Sequence, residues 1–399
     1  MEMDKVRSLS GGVNQSGVRA YNERLLLTTL LRHGALPGSD IARRTGLSPQ
    51  TISVILRKLE GDGLLVRGES VKGKVGKPFV PMAINPQGLF SYGMKIGRRS
   101  ADLLVMDFQG NIRKQLHTRY NYPMPTEVFS FLHEGIQEIE AAMTSDEVSR
   151  ICGLGIAAPF EMWSWHEQVR APEAEFQVWR EISFAEEVAR FSQLPVFVVN
   201  DATAACRAEH MFGRGKEFRD YAYFFLAAFI GGGVVLNHSV YEGYQGNAGS
   251  LGSLPSRRDD GSECQLLDRA SIHLLESSLI QNGIDPDRLW RVPQDWSSLS
   301  EWVAPWLEQT AAALAHASLT TCAVIDFEAI LIDGALPPDV RERLVARVRE
   351  RVSRLDTRGI IIPAIEAGMI GANARAIGAA SSPVIAQFLL DTNAGLAEA

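Results

Sequence analysis

Residues 39–60 read SDIARRTGLSPQTISVILRKLE, two short helical patterns on either side of one glycine. Ser39 offers its hydroxyl as an N-cap to a helix through Asp40, Ile41, Ala42, Arg43 and Arg44, and Gly46 ends it. Ser48 caps the next helix, with Pro49 at the first helical position, where a missing N–H costs nothing. There Ile52, Ile55, Leu56 and Leu59 form one apolar stripe, which leaves Gln50, Thr51, Ser53, Arg57 and Lys58 on or near the opposite face. Two helices joined by a tight glycine turn make a helix-turn-helix. Its second helix reads base edges with N-terminal residues and phosphates with the basic residues further along. Ser48, Gln50, Thr51, Ser53, Arg57 and Lys58 are therefore the expected DNA contacts; the plainer alternative is a solvated amphipathic face.

The flanks favour the DNA reading. Upstream, NERLLLTTLLRH at 22–33 sets Leu25, Leu26, Leu30 and Leu31 at helical spacing, and Gly34 stops it. Downstream, LLVRG and KPFVPMAI read as two strands joined by a glycine-rich loop carrying Lys72, Lys74 and Lys77, the expected wing. Residues 1–86 hold 13 Lys/Arg against 7 Asp/Glu, a balance of +6 within a chain of net −7, so the remainder carries −13. A basic module on an acidic body fits phosphate attraction at one end and a separate role at the other. The partner expected is a double-stranded DNA operator.

At 399 residues, with 46% hydrophobic and 22% charged residues, the chain is long enough for two or three cores. No apolar run approaches the roughly 18 residues of a membrane span, and the first 25 residues lack a signal-peptide core; a cytoplasmic protein without membrane partners is expected. Cys152, Cys206, Cys264 and Cys322 are isolated and read as buried free thiols.

Asn85-Pro86-Gln87-Gly88 marks a linker. Beyond it, LFSYGMKIG and ADLLVMDFQGNI read as a β-hairpin, followed by a helix near 126–143, the strand ICGLGIAAP, a helix near 183–192 and the strand LPVFVVN ending in Asn200-Asp201. A second pass begins at YAYFFLAAFIGGGVVLNHSVY, again strand, glycine turn and strand, and leads through helices to FEAILIDG. The pattern is α/β, with one hairpin-first plan used twice.

On the segments NERLLLTTLLRHG, the GKP of the wing, VNDATAACRAEHMFG, GGGVVLNHSVYEGYQGNAGSLGS and GANARAIGAA, the chain resembles the ROK family of repressors, open reading frames and kinases. The resemblance implies a winged helix-turn-helix over 1–86 followed by a two-lobed actin-like fold of the sugar-kinase and ribonuclease H-like type. Lobe 1 is expected over 87–200 plus a terminal helix over 383–399, and lobe 2, with a dimerisation surface, over 201–382. Sugar would bind between the lobes, and the protein would be a homodimer or tetramer on a palindromic site.

The same resemblance exposes departures. The family's DxGGT, whose aspartate helps hold metal, is Lys95-Ile96-Gly97-Arg98-Arg99-Ser100 here, and the GTGIGGG-like second phosphate loop is Ala227-Ala228-Phe229-Ile230-Gly231-Gly232-Gly233. Metal, phosphate access and the loop hydroxyl are lost together. Asp201 matches the catalytic base and Asn200 a sugar contact, while Asp201 also suits a helix N-cap. In GxxGxAGExGH, glutamate and histidine have become Ser250 and Ser253, and the zinc segment keeps only Cys264. No metal, no cofactor and no catalysis are expected, with Asp201 a vestigial base. Asn200, Asp201, Gly232, Gly233, Ser250 and Ser253 are the expected effector contacts. Trp163, Trp165 and His166 read either as a sugar-stacking lip or as local packing.

The expected function is transcriptional repression of carbohydrate-uptake or catabolism genes, with the kinase-like domain sensing a sugar-related effector, dimerising, or both. A regulator with a vestigial pocket and an active sugar kinase are the alternatives.

Overall fold

The computed structural model describes residues 15–70, 79–159, 161–165, 171–291 and 293–390. Lys72, Lys74, Lys77 and His166 lie outside them, as does the Trp165 side chain.

Three helices open the chain: α1 (Gln15–His33), α2 (Gly38–Thr45) and α3 (Pro49–Gly61). Helix α2 is capped differently from the expectation. Pro37 occupies the N-cap without a side-chain bond, and Ser39 lies inside the first turn. Helix α3 starts as its sequence requires, with Ser48 Oγ accepting from Thr51 N at 3.1 Å and Pro49 at the first position. Strands β1 (Leu65–Arg67) and β2 (Met82–Ile84) then pair antiparallel, Leu65 opposite Ile84, as the base of the wing hairpin.

This head shares a core with the body. Leu26, Leu30, Ile41, Ile52, Leu59 and Ile84 are buried together with Phe108, Val384 and Leu389, which come from beyond the wing. The expected linker is an ordered junction: Asn85 donates to Gly63 O at 2.7 Å and accepts from Gln87 N, and Pro86–Gly88 form one 3₁₀ turn.

The body repeats one sheet. Strands β3 (Phe90–Ile96), β4 (Ser100–Asp107) and β5 (Ile112–Arg119) form an antiparallel meander, because a turn at 108–111 divides the second expected strand. After helix α4 (Pro125–Glu140), β6 (Ile151–Ala158) and β7 (Val196–Asn200) add in parallel, giving the order β5-β4-β3-β6-β7. The second sheet uses β8 (Tyr221–Leu226), β9 (Gly231–Leu236), β10 (Ser239–Tyr241), β11 (Ala329–Gly334) and β12 (Ala364–Ala367), ordered β10-β9-β8-β11-β12. Three antiparallel strands followed by two parallel ones, twice, is the duplicated plan of the sequence.

Two helices join the sheets: α5 (Asp201–Phe212), directly after β7, and the C-terminal helix, which runs Ala374–Phe388 and so begins nine residues before the expected 383. Glycines let their backbones touch. A Cβ on Gly378 would sit 1.6 Å from Ala204 O in α5, and one on Gly155 of β6 would sit 1.7 Å from Ala379 O. The third stretch of helix, α6 (Ile272–Gln281), α7 (Ser300–Val324) and α8 (Pro338–Val352), covers the outer face of the second sheet. Cys206 and Cys322 are buried as expected, whereas Cys152 and Cys264 are half-buried; all four are free thiols. No described helix is long and apolar enough to cross a membrane.

Candidate functional site

Helix α3 buries Ile52, Ile55 and Leu59 and turns Ser48, Gln50, Ser53 and Arg57 to solvent. Ser48 and Thr51 are partly committed to the cap, their hydroxyls lying 2.9 Å apart. Arg57 is exposed, and its Nε donates to Ser53 O at 3.2 Å. Lys58 differs from the others: its ammonium sits 2.6 Å from Glu23 of α1 and 3.5 Å from Asp62, so it clamps two helices of the head. Two features were not singled out from the sequence. Val54, half exposed between Gln50 and Arg57, offers the apolar contact a thymine methyl accepts. Arg43 and Arg44 are exposed at the end of α2.

Between the sheets, the two turns that the family resemblance aligns with phosphate loops hold protein charges. Lys95, on the buried central strand β3, donates to Asp102 at 2.7 Å and to Ser100 at 3.0 Å. Burial opposes the Asp102 charge, but Lys95 and His117, the latter 2.7 Å away, outweigh it and hold the carboxyl well below the usual range. The turn after β3 reaches across to the other lobe. Arg98 and Arg99 lie 3.7 and 3.4 Å from Glu276 of α6, with the Arg98 guanidinium 5.6 Å from the centre of the Phe229 ring. Arg119 adds a bond to Asp287 at 2.7 Å. Where the kinase loops would hold a triphosphate, arginine, glutamate and phenylalanine close the lobes on each other.

Asn200 and Asp201 stand at the N-terminus of α5. The N-cap is Asn200, whose Oδ1 accepts from Ala202 N at 3.0 Å and Thr203 N at 3.2 Å, so the capping expectation for Asp201 is corrected by one residue. Asp201 instead meets Arg375 at 3.3 Å, and Arg375 stacks over Phe225. Gly233 lies beneath α5, where a Cβ would meet the Cys206 Cβ at 2.5 Å, whereas Gly232 points to the other face of β9, where a Cβ would meet Tyr223 O of β8 at 2.5 Å and Leu251 at 2.6 Å. The loop of Ser250 lies against Gly233 through Gly249, but Ser250 Oγ is spent locally on Asn247 O and Oδ1. Ser253 is exposed at the end of a 3₁₀ turn. Cys264 sits in a small hairpin, and no group of three His, Cys, Asp or Glu among the described residues is arranged to hold a metal ion. Trp163 packs partly against the core of the first lobe. The structure thus clusters Asn200 and Asp201 at the start of α5, places Gly233 under the same helix with the Ser250 loop against it, and turns Gly232 to the opposite face of β9. Arg375, which the sequence did not single out, completes that cluster.

Residues 91–266 match the model described as ROK family. The chain carries a ROK-family domain. Residues 21–74, ahead of it, match the model described as MarR family, a winged-helix type. An uncharacterized protein of Sinorhizobium fredii is 23% identical over 92% of each chain. The xylose repressor of Bacillus subtilis is 24% identical over 60% of this chain and 62% of its own length. The N-acetylglucosamine repressor of Escherichia coli O157:H7 is 21% identical over 61% of this chain and 60% of its own. This chain therefore spans less than two thirds of those two repressors. Among solved structures, a ROK family transcriptional regulator described as a homologue of E. coli Mlc superposes over 96% of this chain with a TM-score of 0.66 at 19% identity. A ROK family glucokinase from Streptomyces griseus, solved with glucose and AMPPNP, covers 73% with a TM-score of 0.56. These likenesses establish the fold: a winged helix ahead of an actin-like ROK domain.

Proposed function

We propose that this ROK-family chain is a DNA-binding transcriptional repressor of carbohydrate-uptake or catabolism genes, acting in the cytoplasm as a homodimer or tetramer. The observation that carries the reading is the solvent-facing Gln50, Ser53 and Arg57 on a helix whose inner side is packed into the core shared with the ROK body. A head so joined cannot tilt without the body taking part, which is the coupling a signal-responsive regulator needs. One winged helix reads few base pairs, so a symmetric pair on a palindrome supplies the remaining specificity. The wing lysines Lys72, Lys74 and Lys77 add phosphate contacts in this reading, and the repressors among its relatives support it.

The effector is a sugar or sugar derivative entering near Asn200, Asp201 and the Ser250 loop, and it acts by favouring one arrangement of the lobes. Turnover is not part of the reading. Lys95 stands where metal would need a carboxylate, and Arg98 stacks on Phe229 where phosphate would pass. The same filling, with Ser250 spent on Asn247, favours a second reading in which the cleft is vestigial and the head represses without an effector. Fluorescence anisotropy on DNA from upstream of the chain's own gene tests the DNA claim. With six to ten phosphates contacted, affinity falls about 10³–10⁵-fold between 50 and 200 mM salt, and a flat salt profile overturns the proposal. Adding xylose, N-acetylglucosamine or their phosphates separates the effector readings, and ADP release above background on a hexose panel overturns the non-catalytic one.

A further inference from the structure

A second cavity lies outside the kinase-like cleft, at the seam between the DNA-reading head and the body. It encloses about 110 Å³ between α1, α5, the β9–β10 hairpin and the end of the C-terminal helix. Its walls are of two kinds. Leu31, Met211, Ile385 and Leu389 make one side apolar, and the cations Arg32 and Lys216, with the imidazoles of His210 and His238, make the other polar. Among the lining residues the one carboxylate is Glu242, and Arg207 pairs with it. Arg32 and Lys216 are thus left without a balancing acid in the cavity.

The Arg32 guanidinium is held in place, while Lys216 stands exposed at the edge. Arg32 Nη2 donates to Lys216 O at 3.1 Å and lies 2.6 Å from His238 Nδ1, bonds that join residues 184 and 206 positions apart. His238 stands at φ 61° beside Asn237 at φ 53°, in a two-residue hairpin turn whose second position glycine ordinarily fills. A side chain with a Cβ held there, at a cost of about 1–2 kcal/mol, places the His238 ring against Arg32. His210 bonds the His238 carbonyl at 2.9 Å, and Thr28 of α1 accepts from Leu390 N at 2.9 Å, closing the seam from the far side.

We propose that this cavity is a binding site for a small organic anion, a phosphate or carboxylate on a short apolar body, with the anionic group on Arg32 and Lys216. The enclosed space is small and partly open to solvent, so it suits a short apolar body with its anionic group toward Arg32 and Lys216. The apolar wall accepts the short chain, and the fixed guanidinium supplies the charge-assisted bonds an oxyanion needs. The site is independent of the repressor reading; only its consequence for DNA affinity rests on that reading, because the occupant would touch α1 and the body together.

The test is isothermal titration of the full chain without DNA, using butyl phosphate, inorganic phosphate and butanol. Butyl phosphate binds saturably and at least tenfold more tightly than butanol. Lys216→Gln, at an exposed residue, and Arg32→Gln each weaken it about tenfold, the equivalent of one charge-assisted bond. Butyl phosphate that fails to bind, that binds no better than butanol, or that binds both folded variants unchanged overturns the proposal. Because no DNA is present, failure here is separate from failure of the repressor reading.

Discussion

Replacing Asp102 by Asn leaves the volume and one oxygen in place but removes the charge that faces Lys95. The Lys95 side chain is 8% exposed and that of Asp102 16%, with 2.7 Å between the charged atoms. The lysine cannot turn to water without leaving the central strand, so the variant buries an uncompensated ammonium. Breaking a buried pair from one side costs about 3–5 kcal/mol. Replacing both partners with apolar residues, Lys95→Met with Asp102→Leu, removes the charges together and comes close to neutral on the same argument. Urea unfolding at pH 7, followed by tryptophan fluorescence, reads the difference. With a slope of about 2–3 kcal/mol/M, Asp102→Asn lowers the midpoint by about 1–2 M while the double variant stays near the parent. An Asp102→Asn midpoint unchanged, or a double variant as damaged as the single one, refutes the view that this pair is a buried structural ion pair. The pH dependence gives an independent reading. The Asp102 carboxyl is held below its ordinary value in the folded chain, so its contribution is full above about pH 4 and is lost as pH falls through the folded value. Asp102→Asn therefore loses less stability on acidification below about pH 4 than the parent does.

Three further outcomes follow from the same structure. Ser48→Ala removes the bond to Thr51 N and lowers the stability of the head by about 1 kcal/mol; hydrogen exchange at the α3 amides should rise about fivefold, and unchanged protection would mean the cap contributes nothing. His210 is pushed down to about 4, chiefly by burial. The unfolded chain therefore takes up a proton near pH 6.5 before the folded chain does, and stability falls by about 2 kcal/mol between pH 6.5 and 4. His210→Gln, measured by thermal melting across that window, should flatten the profile. Gly378→Ala places a methyl 1.6 Å from Ala204 O and should cost about 3 kcal/mol or more by forcing α5 and the C-terminal helix apart; a melting temperature within a degree of the parent would contradict that contact.

The head was legible because its determinants are local. A serine cap, a proline at the first turn and a stripe at 3.6-residue spacing act within one helix, and Ile52, Ile55 and Leu59 are buried as that spacing requires. The two sheets were legible for the same reason, since strand alternation and glycine turns repeat within short windows. Capping was the exception at two places. Pro37 rather than Ser39 opens α2, and Asn200 rather than Asp201 opens α5, because adjacent residues compete for one set of free amides and backbone direction decides between them.

The sequence by itself determined a basic winged helix ahead of a duplicated α/β body and a lysine at position 95, because element type and residue identity are properties of neighbouring residues. Only the tertiary structure decided which charges meet between the lobes and at the seam. Arg98 meets Glu276 across the cleft, Asp201 meets Arg375, and Arg32 meets His238 at the seam. Each of these contacts joins residues well over one hundred positions apart. Their partners are chosen by how the sheets and helices pack, and no local spacing encodes that choice.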